Sequence, residues 1–187
     1  MLELQNPRHH SHVFSQHLII GAAAKEILRS LLEASGYKVY PFGYESSLSS
    51  LKMHLWESKV NDSNAVQRVR SMPDYVVSSE KDLRLVEVKF RKKSDREGRH
   101  GVFLKNSDLS RYRLYWEESV IAIISPYGDR FFCRDVRELM PGTQETKWFD
   151  YSSFQPLPEM YPATSDKLKA FGVAVDKLGS LWDEQKT

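Results

Sequence analysis

Cysteine is almost absent from this 187-residue chain: Cys133 stands alone, so no disulfide framework can hold the fold. Such usage suits a reducing cytoplasm, the expected location. Cys133 lies in an apolar stretch, where burial is expected rather than reactivity. Long hydrophobic runs are missing too. No stretch approaches the ~20 apolar residues that a spanning helix needs, so no membrane partner is expected. Leu18-Ile19-Ile20-Gly21-Ala22-Ala23-Ala24 has the look of a signal-peptide core, but at about seven residues it sits at the bottom of the range. Its apolar period continues through Leu31 and Leu32, as in a folded amphipathic helix. There is no internal repeat, no low-complexity segment and no phosphate-binding glycine loop. A net charge of +2 is too small to define a nucleic-acid binder by itself.

What remains is ordinary for a soluble globular protein, with 41% hydrophobic and 28% charged residues. The length suits one domain over 1–187 rather than two. Within it, one constellation stands out. Pro73-Asp74-Tyr75-Val76-Val77-Ser78 reads as a short strand, Ser79-Glu80-Lys81-Asp82 as a polar break, and Leu83-Arg84-Leu85-Val86-Glu87-Val88-Lys89-Phe90 as a second, alternating strand. Closed as a hairpin, the two strands bring Asp74 opposite Glu87. Tyr75, Val77, Val86, Val88 and Phe90 then share one face, and Asp74, Glu87 and Lys89 the other. Two carboxylates facing each other across a ladder repel. A divalent cation turns that cost into a binding site.

Pro73-Asp74, a hairpin and Glu87-Val88-Lys89 together resemble the signature of the PD-(D/E)xK, or restriction-endonuclease-like, nuclease superfamily. The surrounding pattern extends the resemblance over residues 14–138. Residues 15–35 carry Ile19, Ile20, Ala23, Ile27, Leu31 and Ala34 near helical spacing, Gly36-Tyr37 is a stop, and Lys38-Val39-Tyr40-Pro41-Phe42 a strand. Residues 106–118 read as a helix with Leu109, Tyr112, Leu114, Tyr115 and Trp116 as packing residues. Val120-Ile121-Ala122-Ile123-Ile124 is a continuous apolar run typical of a strand buried on both faces. After the turn Pro126-Tyr127-Gly128-Asp129, Arg130-Phe131-Phe132-Cys133-Arg134 is a further strand. The fold class implied is α/β, with a core in the order α-β-β-β-α-β and a mixed central sheet flanked by helices.

The resemblance also implies roles. Asp74, Glu87 and the Val88 carbonyl would hold Mg²⁺ or Mn²⁺, and Lys89 would orient a water or meet the developing charge on a phosphate. Glu26 looks like the helix-borne acid of the family, and Gly21-Ala22-Ala23-Ala24-Lys25-Glu26 is similar to the glycine-then-glutamate run of Holliday-junction-resolvase-type members, one residue longer. The alternative for Glu26 is a solvated helix surface. Relatives place Gln or Lys on the helix after the Glu-x-Lys strand, where this chain offers Lys105, Arg111 and Arg113. Nucleic acid, DNA ahead of RNA, is the implied partner, and a homodimer the implied assembly of many relatives.

Other segments are read from composition. The basic residues Arg91, Lys92, Lys93, Arg96 and Arg99 follow Lys89 closely, as a flexible strand-to-helix loop that either contacts phosphates or is simply solvated. Residues 46–70 look like a helical insertion, with Ser46-Ser47-Leu48-Ser49-Ser50 as a cap and Leu51, Leu55 and Trp56 facing inward. Arg8-His9-His10-Ser11-His12 lacks the cysteines or acids at fixed spacing that a zinc site uses, and reads as a mobile polar terminus. The extension over 140–187 has an aromatic and proline segment without clear period, then a helix striped by Leu168, Phe171, Val175, Leu178 and Trp182. That stripe is core or a partner surface, and exposed aromatics there can stack on unpaired bases. Beside the nuclease stand two alternatives: a non-catalytic nucleic-acid-binding or assembly protein with the same fold, and an unrelated α/β adaptor whose hairpin charges are solvated.

Overall fold

The computed structural model describes the backbone of residues 7–44, 63–92 and 94–183, and the side chains of 17–44, 63–92 and 96–181. The cap and inward-facing residues expected in 46–62 fall outside it, as does Lys93. The first element is a long helix, α1 (Pro7–Ala34), so the basic, histidine-rich start is helical in its backbone rather than a separate tail. Its buried stripe is Ile20, Ala24, Leu28, Leu31 and Leu32, while Ile19, expected to face inward, is 66% exposed. One helical step of about 100° separates Ile19 from Ile20, enough to move it off a stripe defined by residues three and four apart. Gly36, at φ +97°, ends the helix: its N–H goes to the Glu33 carbonyl and that of Tyr37 to Leu32, closing the last turn in a left-handed cap.

The chain continues as β1 (Lys38–Pro41), α2 (Asn64–Arg70), β2 (Tyr75–Ser78) and β3 (Leu83–Phe90). Then follow β4 (Ser94–Arg96), β5 (Arg99–Lys105), α3 (Asn106–Tyr115), β6 (Val120–Ile124) and β7 (Phe131–Asp135). The last elements are β8 (Thr146–Asp150), β9 (Gln155–Pro156), α4 (Leu157–Met160) and α5 (Ser165–Asp183). Strands β1-β2-β3-β6-β7-β9 form one sheet in that order, and β3 with β6 is its parallel pair. This is the mixed α/β architecture, helices flanking a mixed sheet in the order α-β-β-β-α-β, that the resemblance implies.

Two apolar layers fix the sheet. On one face α1 and α5 cover Tyr75, Val77, Val86, Val88 and Phe90, the residues assigned to one side of the hairpin, together with Val120, Ala122 and Ile124. On the other face Ile121 and Ile123 pack with Leu109 and Tyr112 of α3 and with Val102, Leu104 and Phe149. Strand β6 is therefore buried throughout, as its unbroken apolar run demands. Cys133 is buried in β7, and burial pushes its thiol up to about 12, an inert state. The stripe on α5 is core over its described side chains: Val175 and Leu178 are buried and Leu168 and Phe171 half-buried, while the Trp182 side chain lies outside the described residues.

Three expectations change. The segment after Lys89 is not a loop but a hairpin, β4 and β5, which β8 extends into a second, three-stranded sheet. Lone strand signals there are diluted by charge, and only pairing with the aromatic segment Trp148-Phe149 stabilises them. Helix α3 stops at Tyr115, and Leu114, expected to pack, is 71% exposed. Residues 146–156, without readable period, supply both β8 and the edge strand β9. No described helix is long and apolar enough to cross a membrane.

Glycine decides the β5–β8 contact. A Cβ on Gly101 would meet the Phe149 carbonyl oxygen at 2.1 Å and the Trp148 ring at 2.7 Å, whereas one on Gly21 in α1 would meet nothing within 4 Å. Gly101→Ala is expected to lower unfolding free energy by about 3 kcal/mol through overpacking, and Gly21→Ala to raise it by about 1 kcal/mol through helix propensity. Urea denaturation of the two variants checks both signs.

Candidate active site

The hairpin closes as its sequence implies. Ser79 Oγ accepts from the N–H of Lys81 and Asp82 across the polar break, and the register pairs Tyr75 with Val86. Carried one step further, that register sets Asp74 against Glu87, and Pro73 against Val88. Asp74 is anchored twice: its carbonyl accepts from Phe42 N at 2.9 Å and Gly43 N at 3.1 Å, and its Oδ2 accepts from Val88 N at 2.9 Å. Pro73 has no N–H to offer the Val88 carbonyl, which leaves that oxygen without a ladder donor from this strand.

Glu87 is buried at 6% exposure and its Oε1 receives two donors, Lys89 Nζ at 2.6 Å and the Tyr112 hydroxyl at 2.6 Å. Lys89 Nζ also donates to the Tyr112 hydroxyl at 3.2 Å. Tyr112 therefore holds both side chains from α3, and burial and the Glu87 charge keep its phenol protonated by raising its pKa. Its sequence signal was apolar spacing on a helix, which announces packing and conceals the hydroxyl.

Both carboxylates open on one cleft of about 650 Å³, lined by α1, the ends of β1 and α2, the hairpin and α3. Glu26 lines this cleft too, but its carboxylate is exposed and takes the Arg29 guanidinium at 2.5 Å. The residue that α1 sends to Asp74 is its neighbour Lys25, whose Nζ lies 2.5 Å from Oδ1. Arg29, Arg70 and Arg111 add further cations, Arg111 pairing with Asp108 at 2.5 Å and donating to Gln67. Of Lys105, Arg111 and Arg113, only Arg111 lines the cleft. Arg113 donates to the Val136 and Arg137 carbonyls, and Lys105 is exposed just before α3.

Of the described basic residues after Lys89, none of Arg91, Lys92, Arg96 and Arg99 lines the cleft. Arg91 gives its guanidinium to the carbonyls of Phe90 and Phe103, and burial lowers its pKa. Lys92 is half-buried just after β3. Arg96 and Arg99 are exposed on the second sheet, each near Glu97.

Donor chemistry tests whether a cation fits. Among the described residues no three His, Cys, Asp or Glu side chains cluster as a metal cage. A site of two carboxylates, one main-chain carbonyl and retained waters is instead what a hard ion such as Mg²⁺ accepts. Asp74 carries the electrostatic sign of such a site: burial first, and then the Glu87 charge, push its pKa up to about 6, and Lys25 only partly offsets them. The short Lys25 contact argues for a lowered value, but desolvation and a facing carboxylate outweigh one lysine that is itself 35% exposed.

No family model matches the chain, and no curated protein does. Among solved structures, the chain is similar to Archaeoglobus fulgidus Hjc, a Holliday junction resolvase from an archaeal hyperthermophile, at 16% identity and a TM-score of 0.48. The match covers 77% of this chain and 97% of that one. The chemistry of the site has to be read from its own geometry.

An acid whose folded pKa lies above its unfolded value binds extra protons when folded, so its favourable contribution is complete below about pH 4 and lost as pH rises through 6. In a chelator, the unfolding free energy of the protein minus that of Asp74→Asn is expected to fall by on the order of 1–3 kcal/mol between pH 4 and pH 7. Paired denaturant titrations across that window check it, and a flat difference would mean that Asp74 is not desolvated.

Proposed function

We propose that this chain is a metal-dependent nuclease that hydrolyses phosphodiester bonds in DNA, with Asp74, Glu87 and the Val88 carbonyl as its ligands for Mg²⁺ or Mn²⁺. The observation that carries the reading is the placement of Asp74 opposite buried Glu87, with both carboxylates on one cleft: opposed, desolvated acids cost stability unless a cation joins them. Bound there, the ion would supply charge against the phosphate and lower the pKa of a water. Lys89 sits one alternation step from Glu87 on the same face, so its ammonium is placed to orient that water or to meet the phosphoryl oxygens. Tyr112 keeps Glu87 and Lys89 in register with each other. The cations Lys25, Arg29, Arg70 and Arg111 around the cleft suit a polyanionic backbone. Glu26, on the rim, would complete the ion's shell only by leaving Arg29.

One observation favours a second reading, a nucleic-acid binder that does not cut. Lys25 and Lys89 each neutralise one carboxylate, so the site balances its charge with its own side chains. Calorimetric titration separates the two: the nuclease takes up Mn²⁺ with loss of the Lys25 contact, and the binder takes up none.

Asp74→Ala, Glu87→Ala and Lys89→Ala are each expected to abolish Mn²⁺-dependent cleavage of linear, circular and branched DNA while far-ultraviolet dichroism stays that of the parent. Tyr112→Phe, losing one charge-assisted hydrogen bond to Glu87, should retain the fold and slow cleavage by about tenfold or more. Robust cleavage by Asp74→Ala or Glu87→Ala would end the assignment.

A further inference from the structure

The second sheet presents a face that plays no part in the chemistry proposed above. Residues 102 and 104 of β5 point into the core, so by alternation Arg99, Gly101, Phe103 and Lys105 point outward. On β8, Phe149 is buried and Trp148, the register partner of Phe103, shares the outer side. Phe103 is 44% exposed, a large aromatic held toward solvent in the middle of a strand. The Trp148 ring lies close over Gly101, where any side chain would displace it, and the Arg99 guanidinium sits 5.1 Å from its centroid. Arg96, opposite Arg99 in the β4–β5 register, is 57% exposed, and Lys105 is exposed at the far end.

We infer that this face is a binding platform for single-stranded nucleic acid, with bases stacked on Phe103 and on the Arg99 guanidinium that covers Trp148, and phosphates met by Arg96 and Lys105. Three features select that occupant. Phe103 offers an exposed π-face, the Arg99 guanidinium over Trp148 lies beside it, and a cation stands at each end of the strip. Its length of roughly 20 Å, six residue steps along β5, spans a few nucleotides. The acids nearby offset part of this charge, Asp150 lying in the field of Arg99. Glu97, at the hairpin turn, is shared between Arg96 and Arg99, and the Asp150 carboxylate is turned to the Ser152 N–H and hydroxyl. Rigidity comes from beneath, where Arg91 donates to the Phe103 carbonyl and Lys147 spans to the Met140 carbonyl. Strand β5 runs directly into α3, the helix that carries Tyr112 and Arg111 into the cleft.

The choice of nucleic acid as partner rests on the nuclease reading; the binding itself does not require cleavage. The test is fluorescence anisotropy of the full chain in a chelator, with labelled oligo-dT and oligo-U about ten nucleotides long and a duplex of equal length. Both single strands, or one of them, should bind more tightly than the duplex. Phe103→Ala, at an exposed position, should weaken that binding roughly 5- to 100-fold, and Phe103→Tyr should restore it. Tryptophan emission should be quenched at saturation, and less so in Trp148→Phe. Binding of either strand that Phe103→Ala weakens would support the stacking, and the tighter of the two identifies the nucleic acid. Equal affinity for the duplex, or indifference to Phe103→Ala, would overturn the proposal. So would a dimer that Phe103→Ala dissociates, which assigns the face to a second copy of the chain. A protein that binds in this way but cleaves nothing with Mn²⁺ sinks the nuclease reading alone; one that cleaves but ignores Phe103→Ala sinks the platform alone.

Discussion

Asp74 and Glu87 face each other at the mouth of a two-stranded hairpin, in a setting poor in water, and the neighbouring structure is arranged around that repulsion. A like-charge pair across a ladder loses energy, and burial deepens the loss. The fold responds on every side. Phe42 and Gly43 pin the Asp74 backbone, Val88 gives its N–H to the Asp74 carboxylate, and Lys25 approaches from α1. Glu87 is met by Lys89 from its own strand and by Tyr112 from α3. Elements distant in sequence therefore converge on two side chains.

That convergence needs a stiff base. Strand β3 has it: β2 pairs antiparallel on one edge, β6 parallel on the other, and an apolar layer covers the face of Val86, Val88 and Phe90. Alternation along β3 then does two jobs at once. Val86, Val88 and Phe90 fill the layer under α1, and Glu87 and Lys89 are held at the opposite face within reach of α3. A slip of one residue would exchange the two sets and bury the charges in the aliphatic layer. Core packing is thus what enforces the geometry of the site.

Charge balance is the other half of the arrangement. Lys25 and Lys89 sit on the two carboxylates, while Arg29 and Arg111 are paired with Glu26 and Asp108 on the same cleft. A cation that takes over Asp74 and Glu87 would release ammonium groups beside the place where a phosphate would lie, so ion and substrate would be coupled through the same lysines. Away from the cleft, the second sheet gathers aromatic and basic residues that neither layer of the core uses.

Periodicity and local turn chemistry in the sequence were enough for the hairpin, its two faces, the opposition of Asp74 to Glu87, the Gly36 stop and the doubly buried β6, because each depends on residues close together along the chain. Other features depended on partners far away. Lys25 rather than Glu26 reaches Asp74 because the roll of α1 is set by packing against the sheet and α5. Tyr112 is a site residue only because α3 docks over Glu87, and residues 94–105 are strands only because β8 returns to pair with them. Local spacing specifies which side chains share a face; the angle at which separate elements meet, and hence which charges touch, is settled only when distant apolar surfaces pack.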